Sequence, residues 1–532
     1  MTQARRRPIQ RALPVTILIL TLALAAYLRL YCLLPMERGL LFLQDYDEAV
    51  WDTTAQLMLQ GHTPYADFFA TLPPVAIYLL GAVLRLVYVP WGSAAGFMAT
   101  RYASVAYGLA AGLAAYALGT KLGGRRAGLL AAAVLSLDGM VIGMDRRAML
   151  EPPLNLFSLL AVLAFCLSFE RAPDDQNAMR AAVLCGLLSA LAALAKTPGL
   201  VVILAILTVS VLRRRWREAA LVTASFALSC LVLSAYFLIH CPGELIKQVY
   251  FFQFLRPADG ITRWTTRLYD IWHYPSAWLT VRLGLTGTAF ATLLSIRHRE
   301  ARAWWVVLAW AGYTMALIVL NKSYWPQYYV QLAVPWAVLA GALLDKRSWP
   351  NWSLGTARAT AGGLALLCVL AVGLAAGGVA NQWTDNLRLA RETSPTYVAV
   401  ADTLRQRSAP ETTVLVFEPN YTFLASRPPA GPQPGRFLVD SYGEMLYVNL
   451  GIAEQSVPEL VRALLFAQED ELQRTFWRPQ AQADVLSAFE RAQYVVTDGR
   501  ARYQLHPETL AVIEAQSAEL LAAGPASLRQ VR

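Results

Sequence analysis

Long apolar runs recur through the first 380 residues, and they constrain the fold more than any other feature of the sequence. Of the 532 residues, 56% are hydrophobic and 15% carry a charge, and the mean hydropathy is +0.40. A soluble protein of this size needs more charged groups to cover its surface. The runs are close in length to helices that cross a bilayer. We therefore predict a polytopic α-helical membrane protein.

Short basic clusters between the runs predict which loops face the cytoplasm. Arg5, Arg6 and Arg7 precede the first run, which predicts a cytoplasmic N-terminus and an uncleaved first span. If residues 73–90 form an outer-loop helix that does not cross, every later basic cluster also lies inside. The C-terminus then lies outside.

About eleven spans follow, at residues 14–34, 97–119, 127–143, 153–169, 181–195, 199–212, 219–240, 276–296, 303–320, 327–344 and 359–380. The pair 181–195 and 199–212 also fits a single kinked element, because each half is short for a span.

The basic residues indicate topology rather than a nucleic-acid partner. The formal net charge is +10, but the arginines fall into short clusters between apolar runs and form no basic–aromatic stripe. The six cysteines and five histidines are dispersed without the paired spacing of a metal site or a disulfide framework. We therefore predict membrane lipids as partners, no nucleic acid and no metal site.

The composition changes after residue 380, which predicts two parts. Residues 1–380 form the membrane domain, with residues 35–96 as its first outer loop, and residues 381–532 form a small extracytoplasmic α/β domain. In that second part, candidate strands lie at residues 412–417, 436–440 and 493–497, and their alternation with helical patterns suggests the α/β class. Helical periodicity predicts helices at residues 396–407, 458–473, 481–491 and 507–521.

Five carboxylates cluster in residues 43–74, between the first two apolar runs: Asp45, Asp47, Glu48, Asp52 and Asp67. Charge beside a bilayer is costly to leave unpaired, so this cluster is a candidate active site. Helical spacing predicts a short helix that opens near Asp47 and stops at Gly61. A plainer interpretation also fits: acidic residues favour a helix N-terminus, and Asp67 is a solvated loop residue. We expect Asp45 and Asp52 to be solvated neighbours.

Carboxylates and cations at the outer membrane surface suit more than one chemistry. A base that deprotonates an acceptor hydroxyl, with Lys or Arg on a phosphate leaving group, would transfer a sugar from a lipid phosphate. Charge alone also fits an ion or proton pathway. Four basic residues lie at predicted outer boundaries and are phosphate candidates, although side chains there also reach toward lipid headgroups: Arg101, Lys196, Arg256 and Lys322.

The order of these residues resembles a known family, the GT-C glycosyltransferases of the protein O-mannosyltransferase and aminoarabinose transferase type. The matching segments are Asp47-Glu48, Gly61, Pro64-Tyr65-Ala66-Asp67, Pro73-Pro74 and Arg147-Ala148-Met149-Leu150-Glu151-Pro152, and Arg101 and Lys196 are placed like a basic pair of the family. Leu72 stands where O-mannosyltransferases have a histidine and aminoarabinose transferases have lysine. The resemblance therefore implies the GT-C fold and the reaction type, but not the sugar.

The resemblance also implies residue roles. Asp47 would be the general base, Glu48 would orient it or the sugar, and Asp67 and Glu151 would bind sugar or acceptor. Glu151 equally fits a salt bridge with Arg146 or Arg147. The donor would be a polyprenyl-phosphate sugar, and the acceptor a glycan, lipid or protein at the outer face of the plasma membrane. No cofactor is required, and a divalent cation stays open.

The main alternative is a transporter or flippase for a lipid-linked glycan, with the carboxylates as gates. The acidic cluster lies in a predicted outer loop rather than at mid-membrane, and the sequence has no pair of repeated halves, which both favour the enzyme. A scaffold whose C-terminal part binds partners would leave the carboxylates unexplained.

Overall fold

The protein is a bundle-forming set of long helices joined to a small sheet-containing part. The computed structural model describes residues 3–31, 33–41, 45–169, 171–172, 175–347, 369–370, 372–384, 395–466 and 471–532. Within these ranges, eight helices are long and apolar enough to cross a membrane, or nine if one bent pair is a single span. The eight are Leu13–Leu30, Pro74–Trp91, Ser93–Gly123, Glu151–Phe169, Gln176–Ala195, Trp216–His240, Trp278–Arg297 and Pro326–Leu344. The predicted helical membrane architecture is confirmed.

The predicted spans correspond closely to these helices. The bent pair is Arg125–Leu137 with Gly139–Asp145, which meet at 61°. Thr197–Leu212 and Trp304–Leu320 are apolar but shorter. The predicted span 359–380 lies largely outside the described residues. Pro74–Trp91 passes the same length and hydropathy test as the others, so its placement outside the membrane stays a prediction.

Shorter elements connect the spans and build the C-terminal part. Short helices before residue 345 are Met36–Leu41, Tyr46–Leu59, Pro242–Ile246, Phe252–Leu255 and Trp264–His273, with a π-helix at Lys247–Phe251. Later helices are Pro395–Arg407, Asn420–Ala425, Ser441–Asn449, Val457–Phe466, Leu472–Phe476, Pro479–Arg491, Gly499–Gln504 and Pro507–Ala515. The strands are β1 Val414–Leu415, β2 Tyr494–Thr497, β3 Ser517–Ala523 and β4 Ala526–Val531.

Residue contacts divide the chain into two compact units, each built from three segments. The first unit comprises Met1–Cys32, Tyr102–Val232 and Ile261–Asn386. The second unit comprises Leu33–Arg101, Leu233–Gly260 and Leu387–Arg532. The first outer loop is therefore grouped with the C-terminal residues. The predicted boundary after residue 380 stays a prediction about domain organisation.

The first unit packs long helices side by side and pairs the charges that it buries. Glu151–Phe169 lies along Gln176–Ala195, and Trp278–Arg297 lies along Tyr329–Ala340. Arg29 and Asp145 form an ion pair at 2.7 Å, with 0% and 1% of their side chains exposed. Arg29 also donates to the carbonyls of Ala25 and Ser136. Such pairing is the condition for keeping charge among apolar helices.

The second unit contains one four-stranded sheet with the order β1-β2-β4-β3. β1 runs parallel to β2, while β4 is antiparallel to both β2 and β3. The predicted strand 436–440 is wrong: these residues form no ladder, and Phe437 makes only a single bridge to Phe68. The predicted helix 507–521 ends at Ala515, because the following residues pair with β4 as strand β3.

The core of the second unit draws on all three of its segments. Phe69 and Phe252 lie 5.1 Å apart between ring centroids, and both contact the ring of Tyr447. Leu415, Val495 and the helices around them complete the same buried cluster. This arrangement places the first outer loop against residues from the end of the chain.

Candidate active site

The acidic cluster lies on a helix whose start is set by its own side chains. The helix Tyr46–Leu59, here called the loop helix, begins with a capping box. Asp45 accepts from the N–H of Asp47 at 3.1 Å, and Glu48 accepts from the N–H of Asp45 at 3.1 Å. Gly61, with φ +96°, follows the helix end, since glycine takes a positive φ without strain. The predicted helix and its stop are confirmed.

Glu48 is buried in a two-pronged ion pair with Arg101. The Nε and Nη2 atoms of Arg101 lie 2.8 and 2.7 Å from the two carboxylate oxygens of Glu48, and both side chains are 0% exposed. Arg101 also donates to the carbonyl of Gly39 and lies over the ring of Phe97. The geometry suits a planar guanidinium facing a carboxylate. The structure thus places Arg101 on Glu48, while its predicted contact with phosphate stays a prediction.

Asp52 is one helical turn beyond Glu48, and the expectation that it is solvated is wrong. Its side chain is 0% exposed. One carboxylate oxygen accepts from the hydroxyl of Thr100 at 3.0 Å, and the other has no hydrogen-bond partner among the described residues. Burial, and then the charge of Glu48, raise the pKa of Asp52 well above its ordinary value. Asp52 lies within a run of ten consecutive buried residues of the loop helix, from Glu48 to Leu57.

Asp47 faces a different environment, since it is only partly buried. Its neighbour Tyr46 donates to Asp440 at 2.8 Å, and the Arg500 guanidinium lies 3.6 Å from the centroid of the Tyr46 ring. Arg500 in turn donates to Glu418 at 2.7 Å. Burial lowers the pKa of Arg500, but the charges of Glu418, Tyr46 and Asp47 together raise it above its ordinary value. The start of the loop helix therefore lies among charged groups from the end of the chain.

Asp67 holds a turn in the segment that follows the loop helix. Its carboxylate accepts from the N–H of Thr63 at 2.7 Å and lies 3.9 Å from the imidazole of His62. Its carbonyl accepts from the N–H of Phe437 at 3.0 Å. About 38% of the side chain is exposed, so one side stays open to solvent. These contacts suit a local structural role, and a sugar-binding role stays a prediction.

Arg256, another predicted phosphate ligand, belongs to the same part of the second unit. It follows the helix Phe252–Leu255 and is partly buried. Its positive charge acts on Asp440 and on Tyr442, whose hydroxyl donates to Asp259 at 2.5 Å. Asp440 also receives the hydroxyl of Tyr46, so Arg256 and the loop helix have an electrostatic neighbour in common.

The other three predicted site residues belong to the first unit. Glu151 forms an ion pair with Lys196, and its suggested pairing with Arg146 or Arg147 stays a prediction. Glu151 is fully buried, and Lys196 is 18% exposed with its ammonium 5.5 Å from the ring centroid of Tyr328. Lys322 is partly exposed, and its carbonyl accepts from buried Arg267. The second unit thus contains Asp47, Glu48, Asp67, Arg101 and Arg256, and the first unit pairs Glu151 with Lys196.

Sequence reasoning missed several residues around the acidic cluster. Tyr46, Asp440, Glu418 and Arg500 are separated by up to about 450 positions, and no sequence signal joins them. Over the described part of the chain, no three His, Cys, Asp or Glu side chains come together as metal ligands. The arrangement offers a partly exposed acidic residue, Asp47, beside the buried pair of Glu48 and Arg101, which suits proton exchange with a bound hydroxyl.

Comparisons with known proteins bear on the family. Residues 66–254 match the family model described as dolichyl-phosphate-mannose-protein mannosyltransferase. The structure of ArnT from Cupriavidus metallidurans bound to undecaprenyl phosphate is similar, with a TM-score of 0.61 at 14% identity over 98% of this chain and 97% of that chain. The chain has the GT-C fold of this structure. The predicted fold class and the resemblance to the O-mannosyltransferase and aminoarabinose transferase type are confirmed.

Two further structures have the same GT-C fold. ArnT from Cupriavidus metallidurans in the apo state gives a TM-score of 0.60 at 14% identity, over 92% of this chain and 93% of that chain. The Archaeoglobus fulgidus oligosaccharyltransferase in the apo form gives a TM-score of 0.57 at 13% identity, over 95% of this chain and 73% of that chain. A sequence comparison with curated proteins returns no match. The family match includes Asp67, Arg101, Glu151 and Lys196 of this chain, and it begins after Asp47.

Proposed function

We propose that this GT-C glycosyltransferase moves a sugar from a polyprenyl-phosphate donor to a hydroxyl of a glycan, lipid or protein. The reaction takes place at the extracytoplasmic face of the plasma membrane, with the N-terminus in the cytoplasm. The observation that carries the proposal is the partly exposed carboxylate of Asp47 beside the buried pair of Glu48 and Arg101. The family described by a dolichyl-phosphate sugar donor, and an ArnT structure holding undecaprenyl phosphate, support this donor class.

Asp47 acts as the general base in this proposal. It takes the proton from the acceptor hydroxyl, whose oxygen then forms a bond to the anomeric carbon of the sugar. The bond from that carbon to the phosphate oxygen breaks, and its electron pair leaves with the lipid phosphate. One displacement inverts the configuration at the anomeric carbon. Glu48 is fixed in its ion pair, so its role is to hold the start of the loop helix rather than to move a proton.

Cationic side chains stabilise the negative charge that grows on the leaving phosphate. Lys196, Lys322 and Arg256 are the proposed ligands, since each retains some exposure. Arg101 is fully buried, and its guanidinium donates to the Glu48 carboxylate and the Gly39 carbonyl. We therefore favour a role in holding Glu48 over a direct contact with the substrate phosphate. Asp67 and Glu151 are the proposed contacts to sugar or acceptor.

We propose that the reaction needs no cofactor, because a base and a charged leaving group account for every bond that changes. A requirement for a divalent cation is a separate matter that the same assay decides. Transfer measured with and without a chelator, followed by addition of Mg²⁺ or Mn²⁺, gives the answer directly.

The first test compares wild type with Asp47→Asn. Both are purified in detergent and incubated with radiolabelled polyprenyl-phosphate sugars and a membrane extract as the acceptor source. We expect Asp47→Asn to lower kcat by about 100-fold or more, since general bases contribute about 10²–10⁴ to rate. Asp45→Asn is the matched control, because asparagine keeps the cap of the loop helix. Size-exclusion profiles show whether both variants are folded.

Other results lead elsewhere. Undiminished transfer by Asp47→Asn would keep the enzyme class and assign the base to another carboxylate, with Glu151 and Asp67 next. Absence of transfer by wild type from every donor would overturn the proposed function, and a liposome flipping assay would then examine the transporter alternative.

A further inference from the structure

We propose that Arg500, from the C-terminal part of the chain, is a positioning residue for the transfer reaction and holds Asp47 through Tyr46. This inference rests on the proposed function, in which Asp47 is the base. Asp47 and Arg500 lie more than 450 positions apart in sequence and belong to the same compact unit.

Tyr46 is fixed at both its ring and its hydroxyl by residues from the end of the chain. The guanidinium carbon of Arg500 lies 3.6 Å from the ring centroid. The hydroxyl donates to Asp440 at 2.8 Å and accepts from the N–H of Tyr442 at 3.2 Å. Tyr46 is the first residue of the loop helix, and Asp47 is the second. A fixed Tyr46 therefore sets the backbone from which the Asp47 carboxylate projects.

Arg500 is itself held in place. Its Nε donates to Glu418 at 2.7 Å, and Glu418 also accepts from the amide of Asn420 at 3.0 Å. The Glu418 side chain is 7% exposed and that of Arg500 is 36% exposed. Because Glu418 holds the far side of the guanidinium, Arg500 keeps its flat face on Tyr46. The asparagine extends the link, since its amide also lies 3.4 Å from the carbonyl of Asp45 at the helix cap.

The charge of Arg500 also favours the form of Asp47 that can act as a base. A positive charge close to a carboxylate stabilises its ionised form. The interaction is reciprocal, since the negative charge of Asp47 is among the groups that raise the pKa of Arg500. The other titratable groups around Arg500 and Asp47 are Asp45, Tyr46, Arg256, Tyr397, Glu418, Tyr421, Asp440, Asp498 and Arg502. Several of these groups are acidic, so removal of Arg500 takes a positive charge away from surroundings rich in carboxyl groups.

Two consequences separate this role from a merely structural one. Loss of the positive charge raises the pKa of the base, so the acidic limb of the pH profile moves to higher pH. Loss of the contact with Tyr46 misplaces the base, which lowers kcat more than it changes the KM for the donor. Arg500→Lys keeps the positive charge but loses the planar guanidinium that contacts both the Tyr46 ring and Glu418. It therefore separates the effect of charge on the pKa of the base from the effect of position on kcat.

The experiment measures kcat and KM for the donor lipid across pH 5–9 in full-length Arg500→Gln and Arg500→Lys. Arg502→Gln is the matched control, because Arg502 is exposed on the same short helix. We expect Arg500→Gln to lower kcat by about tenfold or more and to move the acidic limb up by about one pH unit. We expect Arg500→Lys to keep the limb near its wild-type position and to recover part of kcat. Arg502→Gln should match wild type.

Other outcomes overturn the inference. An unchanged kcat and limb in folded Arg500→Gln would show that Arg500 does not position the base. An equal loss of kcat at every pH that lysine does not recover would assign Arg500 to structure alone. If Asp47→Asn loses transfer while Arg500→Gln keeps it, the proposed function stands and this inference fails. If wild type transfers no sugar, the proposed function fails and this inference falls with it.

Discussion

At the scale of single residues, one helix holds three carboxylates in three environments. Asp47 is partly exposed, Glu48 is buried with Arg101, and Asp52 is buried and accepts a hydrogen bond from the hydroxyl of Thr100. A buried carboxylate costs several kcal/mol unless an opposite charge compensates it. Glu48 has that compensation, whereas burial and the charge of Glu48 raise the pKa of Asp52 well above its ordinary value, which favours the neutral carboxyl. Position on the helix therefore decides which carboxylate can exchange protons with solvent.

The state of Asp52 predicts a pH-dependent stability. The pKa of Asp52 in the folded state lies above the value in the unfolded state. Its contribution to the free energy of unfolding is therefore fully present at low pH and is lost as the pH rises through the folded-state pKa. Asp52→Asn removes this loss. We expect the free energy of unfolding of Asp52→Asn to exceed that of wild type. The difference grows by up to about 1.4 kcal/mol per pH unit above about pH 4, until the folded-state pKa is reached. Thermal unfolding in detergent from pH 5 to pH 8 measures the difference.

Asp402→Asn is the control for that series, because Asp402 is about half exposed on the helix Pro395–Arg407. Its melting temperature should stay at a constant offset from that of wild type across the pH range. A constant offset for Asp52→Asn as well would contradict a protonated Asp52.

At the scale of elements, the side chain of Gln248 makes two hydrogen bonds to the segment after the loop helix. Gln248 lies on the π-helix Lys247–Phe251 and accepts from the N–H of Ala70 at 2.9 Å. Its amide also donates to the carbonyl of Tyr65 at 3.0 Å. Tyr65 has φ +71°, an uncommon conformation for a residue with a side chain. The bond from Gln248 and the hydroxyl bond from Tyr65 to Leu72 hold this conformation.

Removal of this link should loosen the turn that carries Asp67. Gln248→Ala removes the hydrogen-bond partner of the Ala70 N–H and of the Tyr65 carbonyl. Each buried polar group left without a partner lowers the free energy of unfolding by about 1–3 kcal/mol. We expect the apparent melting temperature to fall clearly in Gln248→Ala, and to change little in Gln253→Ala, a partly exposed glutamine nearby. Limited proteolysis should cut first between residues 61 and 72 in the variant. Equal melting temperatures for the two variants would show that the link contributes no stability.

At the scale of the whole molecule, the C-terminal residues share their core with the first outer loop. Phe69 and Phe252, from two other segments of the chain, are 0% and 1% exposed in that core. Burial of two such rings contributes roughly 3–6 kcal/mol. A domain is typically stable by only about 5–15 kcal/mol. The second unit therefore depends on residues that lie far outside the C-terminal sequence.

This dependence predicts the behaviour of a fragment. Residues 395–532 produced alone should lack a cooperative thermal transition and should bind a hydrophobic dye, because Tyr447 and its neighbours lose the two rings that cover them. Near-ultraviolet circular dichroism and size-exclusion chromatography measure both properties. A monomeric fragment with a sharp transition would show instead that these residues fold independently.

Local signals determined the parts of the fold that depend on near neighbours. The apolar runs predicted the long helices, since a bilayer-length run is a property of consecutive residues. Asp45, Glu48 and Gly61 marked the loop helix because caps and stops act within one turn. The strand predicted at 436–440 failed for the opposite reason: the segment has apolar residues suited to a strand, but among the described residues it forms only one isolated bridge, between Phe437 and Phe68. The strand β3 was missed because its partner β4 decides its conformation.

The sequence by itself determined a membrane protein with an acidic helix after its first apolar run, because hydropathy and helix capping are local. Only the tertiary structure decided what each carboxylate does. It buried Glu48 against Arg101, kept Asp52 from solvent and brought Arg500 onto Tyr46. These outcomes depend on burial and on charges far away in the chain, which no local pattern records.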